Sequence, residues 1–233
     1  MIKRVLLKLS GAAFCSKGNF GFDSHQIKNL AFSLKTIQDK NIGLSIVLGG
    51  GNIFRGVQGS SLSLSRLASD QMGMLSTVLN GIALHDALSQ EGASASLFSS
   101  FVCPQIANVY KPQEALRRLN DGQIIICTGG AGNPYLTTDT AAALRACEIK
   151  ADLLLKATTC VDGVYDKDPL IFDDAIHMPK ISYEKFLEMK LKVMDLSAIT
   201  LCMINAIPIR LFKLSTMDLE NAIFQSNIGT EIK

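Results

Sequence analysis

The stretch GLSIVLGGGNIFRG (residues 43–56) decides how the chain folds. Leu44, Ile46, Val47 and Leu48 form an apolar run too short for a helix, and three glycines stop it at once. A run of this kind is a strand buried on both faces, as in a parallel sheet covered by helices. The pattern repeats outward from it. Upstream, RVLLKL (4–9) is a second apolar run, ended by Ser10-Gly11. Between the two, Ile27, Leu30, Ala31, Leu34 and Ile37 recur at steps of three and four, which predicts a helix over 24–40. Asp23 or Ser24 can cap its start, and Gly43 sits past its end. Downstream, strands are predicted over 94–98, 123–127, 152–156 and 208–212. Helices are predicted over 66–90, 112–120, 139–149 and 217–225, with one or two more within 183–205 and a turn-rich loop over 162–169. The reading is an α/β protein: a mostly parallel central sheet with helices on both faces.

The 233 residues, 48% hydrophobic and 19% charged, suit a globular core and are too apolar for a disordered chain. No linker or low-complexity tract divides them, so one domain over 1–233 is expected. A net charge of +2 argues against a strong electrostatic nucleic-acid binder. Aromatics at 6%, without tryptophan, leave few platforms for stacking bases. The longest apolar runs fall far short of the roughly 20 residues needed to cross a bilayer. MIKRVLLKL resembles the start of a secretory signal, but Lys8 interrupts it and no cleavage site follows. Six scattered cysteines show no C-x-x-C pair, and most of them read as small core residues. A cytoplasmic protein is expected.

Glycines gather after three strands: Gly11, Gly49 to Gly51, and Gly129, Gly130 and Gly132. Any such fold needs turn glycines, but three clusters at strand ends exceed that need. Ligands of parallel sheets bind beyond the carboxyl ends of the strands, where backbone N–H groups and helix N-termini hold phosphate. Neither a Walker sequence nor G-x-G-x-x-G is present. Lys8 stands inside an apolar strand, either at an exposed edge or as a buried cation, and Lys156 repeats that placement. Arg55 follows the triple glycine, as a surface residue or a phosphate ligand. Cations beside glycine turns supply what phosphoryl transfer chiefly requires, which is charge neutralisation.

KLSG (8–11), GGGNIFRG (49–56), SDQMGMLSTVLNGIALHDAL (69–88), GNPYLTTD (132–139), ADLLLKAT (151–158), DGVYDKDP (162–169) and KVMDLSA (192–198) carry a family resemblance. Together they resemble the bacterial uridylate kinases of the amino acid kinase superfamily, over residues 3 to about 232. GGGN is shared with carbamate, aspartate and acetylglutamate kinases. D-x-M-G-M-L-x-T and GNP-x-x-TTD are far more specific to the uridylate branch.

The resemblance implies a three-layer αβα sandwich around a mostly parallel eight-stranded sheet, the amino acid kinase fold, assembled as a homohexamer. It implies transfer of a phosphoryl group from ATP to UMP with Mg²⁺, in pyrimidine nucleotide synthesis. Residues of about 1–150 are expected to hold UMP and those of about 151–233 ATP. For ATP it implies Lys8, Leu9, Ser10, Gly11, Gly51, Arg55, Thr158, Thr159, Tyr165 and Asp168. For UMP it implies Gly50, Asp70, Ala131, Gly132, Asn133, Pro134, Tyr135, Leu136, Thr137 and Thr138. Lys8, Arg55 and Asp139 are the expected catalytic residues, and no metal ligand is assigned. Asp70, Thr137 and Thr138 also suit helix starts in their own right, and Tyr165 in its turn also suits simple packing. The acceptor phosphate is already ionised near neutral pH, so no general base is expected.

The chain departs from the family in three places. Ala12 replaces a usual acidic residue, Ala131 a common threonine, and KATTCVDGVY (156–165) is one residue longer than usual. The last change leaves the adenosine contact open among Thr158, Thr159 and Cys160; the second bears on uracil against cytosine. The segment 16–23 (SKGNFGFD) is similar to the region where relatives bind GTP as activator, and UTP inhibition is a family habit. His25, His85 and His177 read as surface or structural. Two rival readings remain: a non-catalytic uridine-nucleotide sensor, or another amino acid kinase acting on a small carboxylate.

Overall fold

The computed structural model describes residues 2–16, 19–56, 59, 62–214, 218–225 and 227–233. Lys17 and Gly18 of the 16–23 segment and Met217 of the last predicted helix lie outside them. The strands are β1 (Arg4–Leu9), β2 (Gly43–Leu48), β3 (Ala95–Ser99), β4 (Asn108–Val109), β5 (Ile124–Thr128), β6 (Leu153–Thr158), β7 (Val164–Tyr165), β8 (His177–Met178), β9 (Lys180–Ile181), β10 (Ile209–Lys213) and β11 (Thr230–Ile232). The helices are α1 (Ser24–Gln38), α2 (Arg66–Gln90), α3 (Pro112–Asn120), α4 (Thr138–Glu148), α5 (Tyr183–Glu188), α6 (Leu196–Ile204) and α7 (Asp218–Phe224).

The main sheet runs β4-β3-β5-β2-β1-β6-β10-β11-β9. Every neighbouring pair is parallel except β10 with β11. Its nine described strands exceed the eight implied by the resemblance, and β4 and β9 have two residues each. These short strands carry too few side chains to show a period of two, so patterning did not reveal them. The same is true of the β7-β8 hairpin inside and after the 162–169 loop.

Side-chain alternation divides the core between the two faces. On β1, Val5, Leu7 and Leu9 join the cluster with α1, the Leu84–Leu88 end of α2, and α7. Leu6 joins the cluster with α3, α4 and α6 on the other face. Lys8 keeps the parity of Leu6 and is thus aimed at α4. The layers are helix, sheet, helix.

Side-chain caps start α1, α2 and α4. Asp23 accepts from the N–H groups of His25 and Gln26, Ser65 from Ala68, and Thr137 from Asp139. On α2 the apolar positions divide. Val78, Leu84 and Leu88 are buried, whereas Met72, Leu75, Leu79 and Ile82 are exposed. Leu75, Leu79 and Ile82, with Met72, form a separate outward stripe. Among the described residues, no helix is long and apolar enough to cross a membrane. Cys15, Cys127 and Cys202 are buried, Cys103 and Cys147 partly so, and Cys160 is exposed.

Candidate active site

In the sheet, β1 is the pivot: β2 follows on one side, and β6 returns to the other. Lys8 and Lys156 face each other across this switch as register partners. Two buried ammonium groups side by side need an anion, and α4 supplies it. Asp139 lies in the first turn of α4, where the helix dipole favours a carboxylate. Lys8 Nζ lies 3.0 Å from Asp139 Oδ1, and Lys156 Nζ donates to Oδ2. The three side chains are 12%, 9% and 10% exposed for Lys8, Lys156 and Asp139, and together carry a net charge of +1. Burial alone would raise the Asp139 pKa, but Lys8 and Lys156 outweigh it and hold the carboxyl below its ordinary value. Burial lowers the Lys156 pKa, more than Asp139 restores.

The first two glycine loops meet back to back. A Cβ on Gly11 would lie 2.5 Å from Asn52 Oδ1 and 2.6 Å from the Gly51 nitrogen. A Cβ on Gly50 would lie 2.7 Å from Ser76 Cβ, so the loop presses against α2. Asn52 and Asn80, both fully buried, exchange amide hydrogen bonds of 2.9 and 2.7 Å. Asn80 Nδ2 also donates to the Gly49 carbonyl at 2.7 Å, and Asn52 Nδ2 to the Gly21 carbonyl at 2.9 Å. Nothing in the local sequence marked Asn80 for this role; mid-helix it looked like any polar residue.

Two cavities open beside these loops. The smaller, about 200 Å³, gathers Gly50, Gly51, Asp70, Thr77, Gly130, Ala131, Asn133, Leu136, Thr137 and Thr138. The structure thus brings together residues from three separate segments. Gly132, Pro134 and Tyr135 are not among its lining residues. Tyr135 adopts φ of +68° and turns its ring outward, with the Arg66 guanidinium 5.6 Å above it. Asp70 receives Arg66 Nε on both oxygens, at 2.9 and 2.8 Å, and the Tyr135 N–H at 2.8 Å. The Thr137 hydroxyl, a candidate donor to phosphate, donates here to Asp195.

The larger cavity, about 360 Å³, is lined by Ala12, Ala13, Cys15, Ser16, Arg55, Thr159, Cys160 and Leu219 among others. Arg55 donates from Nε to the Gly51 carbonyl at 2.8 Å and stacks on Phe20. Thr159 and Cys160 reach the cavity; Thr158, Tyr165 and Asp168 are outside its lining. Thr158 donates to the Val161 carbonyl, and Tyr165 donates to Asp162 at 2.6 Å and tilts against His177. Asp168 caps the Leu170 N–H at 2.9 Å. Leu9 is wholly buried and offers only backbone, its carbonyl accepting from Gly49 at 2.8 Å. Ser10 caps the Ala12 N–H. Among the described residues, no group of three or more His, Cys, Asp or Glu gathers to hold a metal.

The sequence pattern of the amino acid kinase family matches residues 3–213. The chain is 48% identical to a uridylate kinase of Chlamydia pneumoniae over 98% of its length and 92% of that protein's. It is 49% identical to a uridylate kinase of Chlamydia abortus over 99% of its length and 94% of that protein's. The fold superposes on the crystal structure of UMP kinase from Bacillus anthracis with a TM-score of 0.95 at 32% identity, covering 100% of this chain and 96% of that one. For UMP kinase from Ureaplasma parvum the TM-score is 0.93 at 32% identity, covering 100% and 99%. With its core halved around β1 and its cations paired across the switch, the chain belongs to the amino acid kinase family, in its uridylate kinase branch.

Proposed function

We propose that this chain transfers the terminal phosphoryl group of ATP to the phosphate of UMP, giving ADP and UDP. The carrying observation is the Lys8–Asp139–Lys156 cluster: net positive, nearly dehydrated, and set at the switch point of the sheet. Just past Lys8 the chain leaves β1 and forms the Ala12–Ala13 wall of the larger cavity, and Asp139 follows the Thr137–Thr138 wall of the smaller. The cluster therefore sits where two substrates on either side would meet. A loose phosphoryl transition state needs alignment and positive charge more than covalent help. Asp139 aligns both ammonium groups and takes no proton. The UMP oxygen attacks as an anion, so no base is required.

In this reading the smaller cavity holds UMP, with Gly50 and Thr138 near its phosphate and Ala131 and Asn133 near its base. Asp70 holds the ribose after exchanging Arg66 for the sugar hydroxyls. The larger cavity holds ATP, with Lys8, the Ser10–Gly11 turn, Gly51 and Arg55 toward its phosphates. Thr159 and Cys160 lie nearer the nucleoside than Thr158, Tyr165 and Asp168. Both Asp139 oxygens face ammonium groups, so Mg²⁺ is expected on the ATP phosphates, where it would neutralise charge and keep much of its water.

The outward stripe of Met72, Leu75, Leu79 and Ile82 on α2 supports self-association, consistent with a hexamer. Glutamate at Leu75 and Leu79 together is expected to yield a smaller species in sedimentation; an unchanged species would remove this face from the contact. Regulation by GTP and UTP belongs to the same reading, and a GTP titration without effect on rate would remove the activator. The reaction itself is tested by ADP release with UMP, CMP, dUMP, aspartate or acetylglutamate as acceptor. Activity with UMP is the expected result, and activity only with an acid would overturn the proposal.

A further inference from the structure

Arg145 on α4 and Arg210 on β10 are buried cations outside the transfer cluster. Arg210 is structural. Its Nη1 donates to the Ala222 carbonyl at 2.8 Å and the Gln225 carbonyl at 2.6 Å, closing the end of α7. Arg145 leads elsewhere. Its side chain is 6% exposed, its guanidinium lies 3.8 Å from the Tyr110 ring centroid, and Nη1 donates to Glu148 at 2.7 Å. These contacts fix the plane of the guanidinium. Nη2 then donates to Ser100 Oγ at 3.0 Å. Arginine cannot accept, so the serine oxygen must, and its single hydrogen is left for another group. That group is the Gly130 carbonyl, 2.8 Å away.

Gly130 belongs to a loop that needs holding. Gly129, Gly130 and Gly132 have φ of +76°, +59° and +87°, and Tyr135 follows at +68°. One end is tied where the Gly129 N–H donates to Thr77 Oγ1 at 2.7 Å. At Gly132 a Cβ would lie 3.2 Å from the Ser100 carbonyl oxygen, so the same serine also forms the floor of the loop. Gly130, Ala131 and Asn133 line the smaller cavity.

We propose that Arg145 is a positioning residue for the acceptor loop. Acting through the Ser100 hydroxyl, it fixes the Gly130 carbonyl and so sets where Ala131 and Asn133 meet the uracil of UMP. The inference rests on the smaller cavity being the UMP site. It assigns Arg145 no contact with either substrate.

The experiment measures KM for UMP and for ATP in the wild type, Ser100→Ala, Arg145→Met and the double variant, with melting temperatures. Ser100→Ala is expected to raise KM for UMP about tenfold, the worth of one hydrogen bond, and leave KM for ATP within about twofold. Arg145→Met is expected to raise KM for UMP in the wild-type background, but by less than about twofold once Ser100 is alanine, since its route is gone. Three results would overturn the proposal: an unchanged KM for UMP in Ser100→Ala, a parallel rise in both KM values, or an Arg145→Met effect as large without Ser100 as with it. Should Arg145→Met fail to fold, the selectivity of Ser100→Ala decides alone. A wild type that phosphorylates no UMP overturns the functional reading itself, and this inference with it.

Discussion

Two polar clusters flank the glycine loops, and they are built on opposite principles. On the α4 face, Lys8, Asp139 and Lys156 bury three charges that sum to +1. On the α2 side, Asn52 and Asn80 bury two neutral amides that satisfy each other and two backbone carbonyls. Both are nearly dry. Burying charge is costly even when paired, whereas a reciprocal amide pair holds shape with little electrostatic penalty. The difference separates two roles. The charged cluster supplies positive potential that a transferring phosphoryl group requires, and the amide pair only keeps the loop around Gly49 in place. Both clusters contribute to stability, so turnover separates them: changes to the lysines of the first should lower it steeply, and changes in the second should leave it nearly intact.

Lys8→Ala carries the largest expected effect, a loss of about a thousandfold in kcat with UMP binding retained. Near-normal turnover by a folded variant would dissolve the contrast. Lys156→Met should cost about a hundredfold, because one cation remains on Asp139. Burial lowers the Lys156 pKa, so the cluster loses positive charge at a lower pH than an ordinary lysine would. Wild-type kcat should accordingly decline on the alkaline side below the ordinary lysine value of about 10.4, and Lys156→Met should lack that limb. A limb that persists in the variant belongs to another group.

Asp139→Asn leaves two ammonium groups facing each other and should cost about 3 kcal/mol near neutral pH. Its dependence on pH follows from the lowered folded-state pKa. The unfolded chain takes up the proton first as pH falls. The stabilisation is thus complete above the ordinary carboxylate value of about 4 and is lost as pH drops through the folded value. The gap in melting temperature between wild type and Asp139→Asn should therefore narrow from about pH 5 towards 3. A gap that is constant over this range would separate Asp139 from the lysines.

Asn80→Leu should have the smallest effect on catalysis. It strands the Asn52 amide and the Gly49 carbonyl, for about 2 kcal/mol of stability, while kcat stays within about fivefold. A kcat loss as deep as that of Lys8→Ala would mean that the amide pair takes part in transfer and would erase the contrast between the two clusters.

The sequence by itself determined the alternation of strands and helices, the sheet covered on both faces, and the glycine turns beyond the strands. These follow from local periods and from turn residues, which show within a few positions of one another. The helices expected over 66–90 and 112–120 have those bounds in the structure, and Pro112 occupies the first turn of α3. Lys8 and Lys156 were visible as cations misplaced in apolar strands. The tertiary structure decided what made them useful. Only the parallel register sets two lysines far apart in the chain side by side, and only the packing of α4 brings Asp139 between them. Asn80 and Arg145 stayed hidden for the same reason. A polar side chain in a helix shows its role only by what it reaches, and Gly49 and Ser100 lie in segments that no local pattern connects to them.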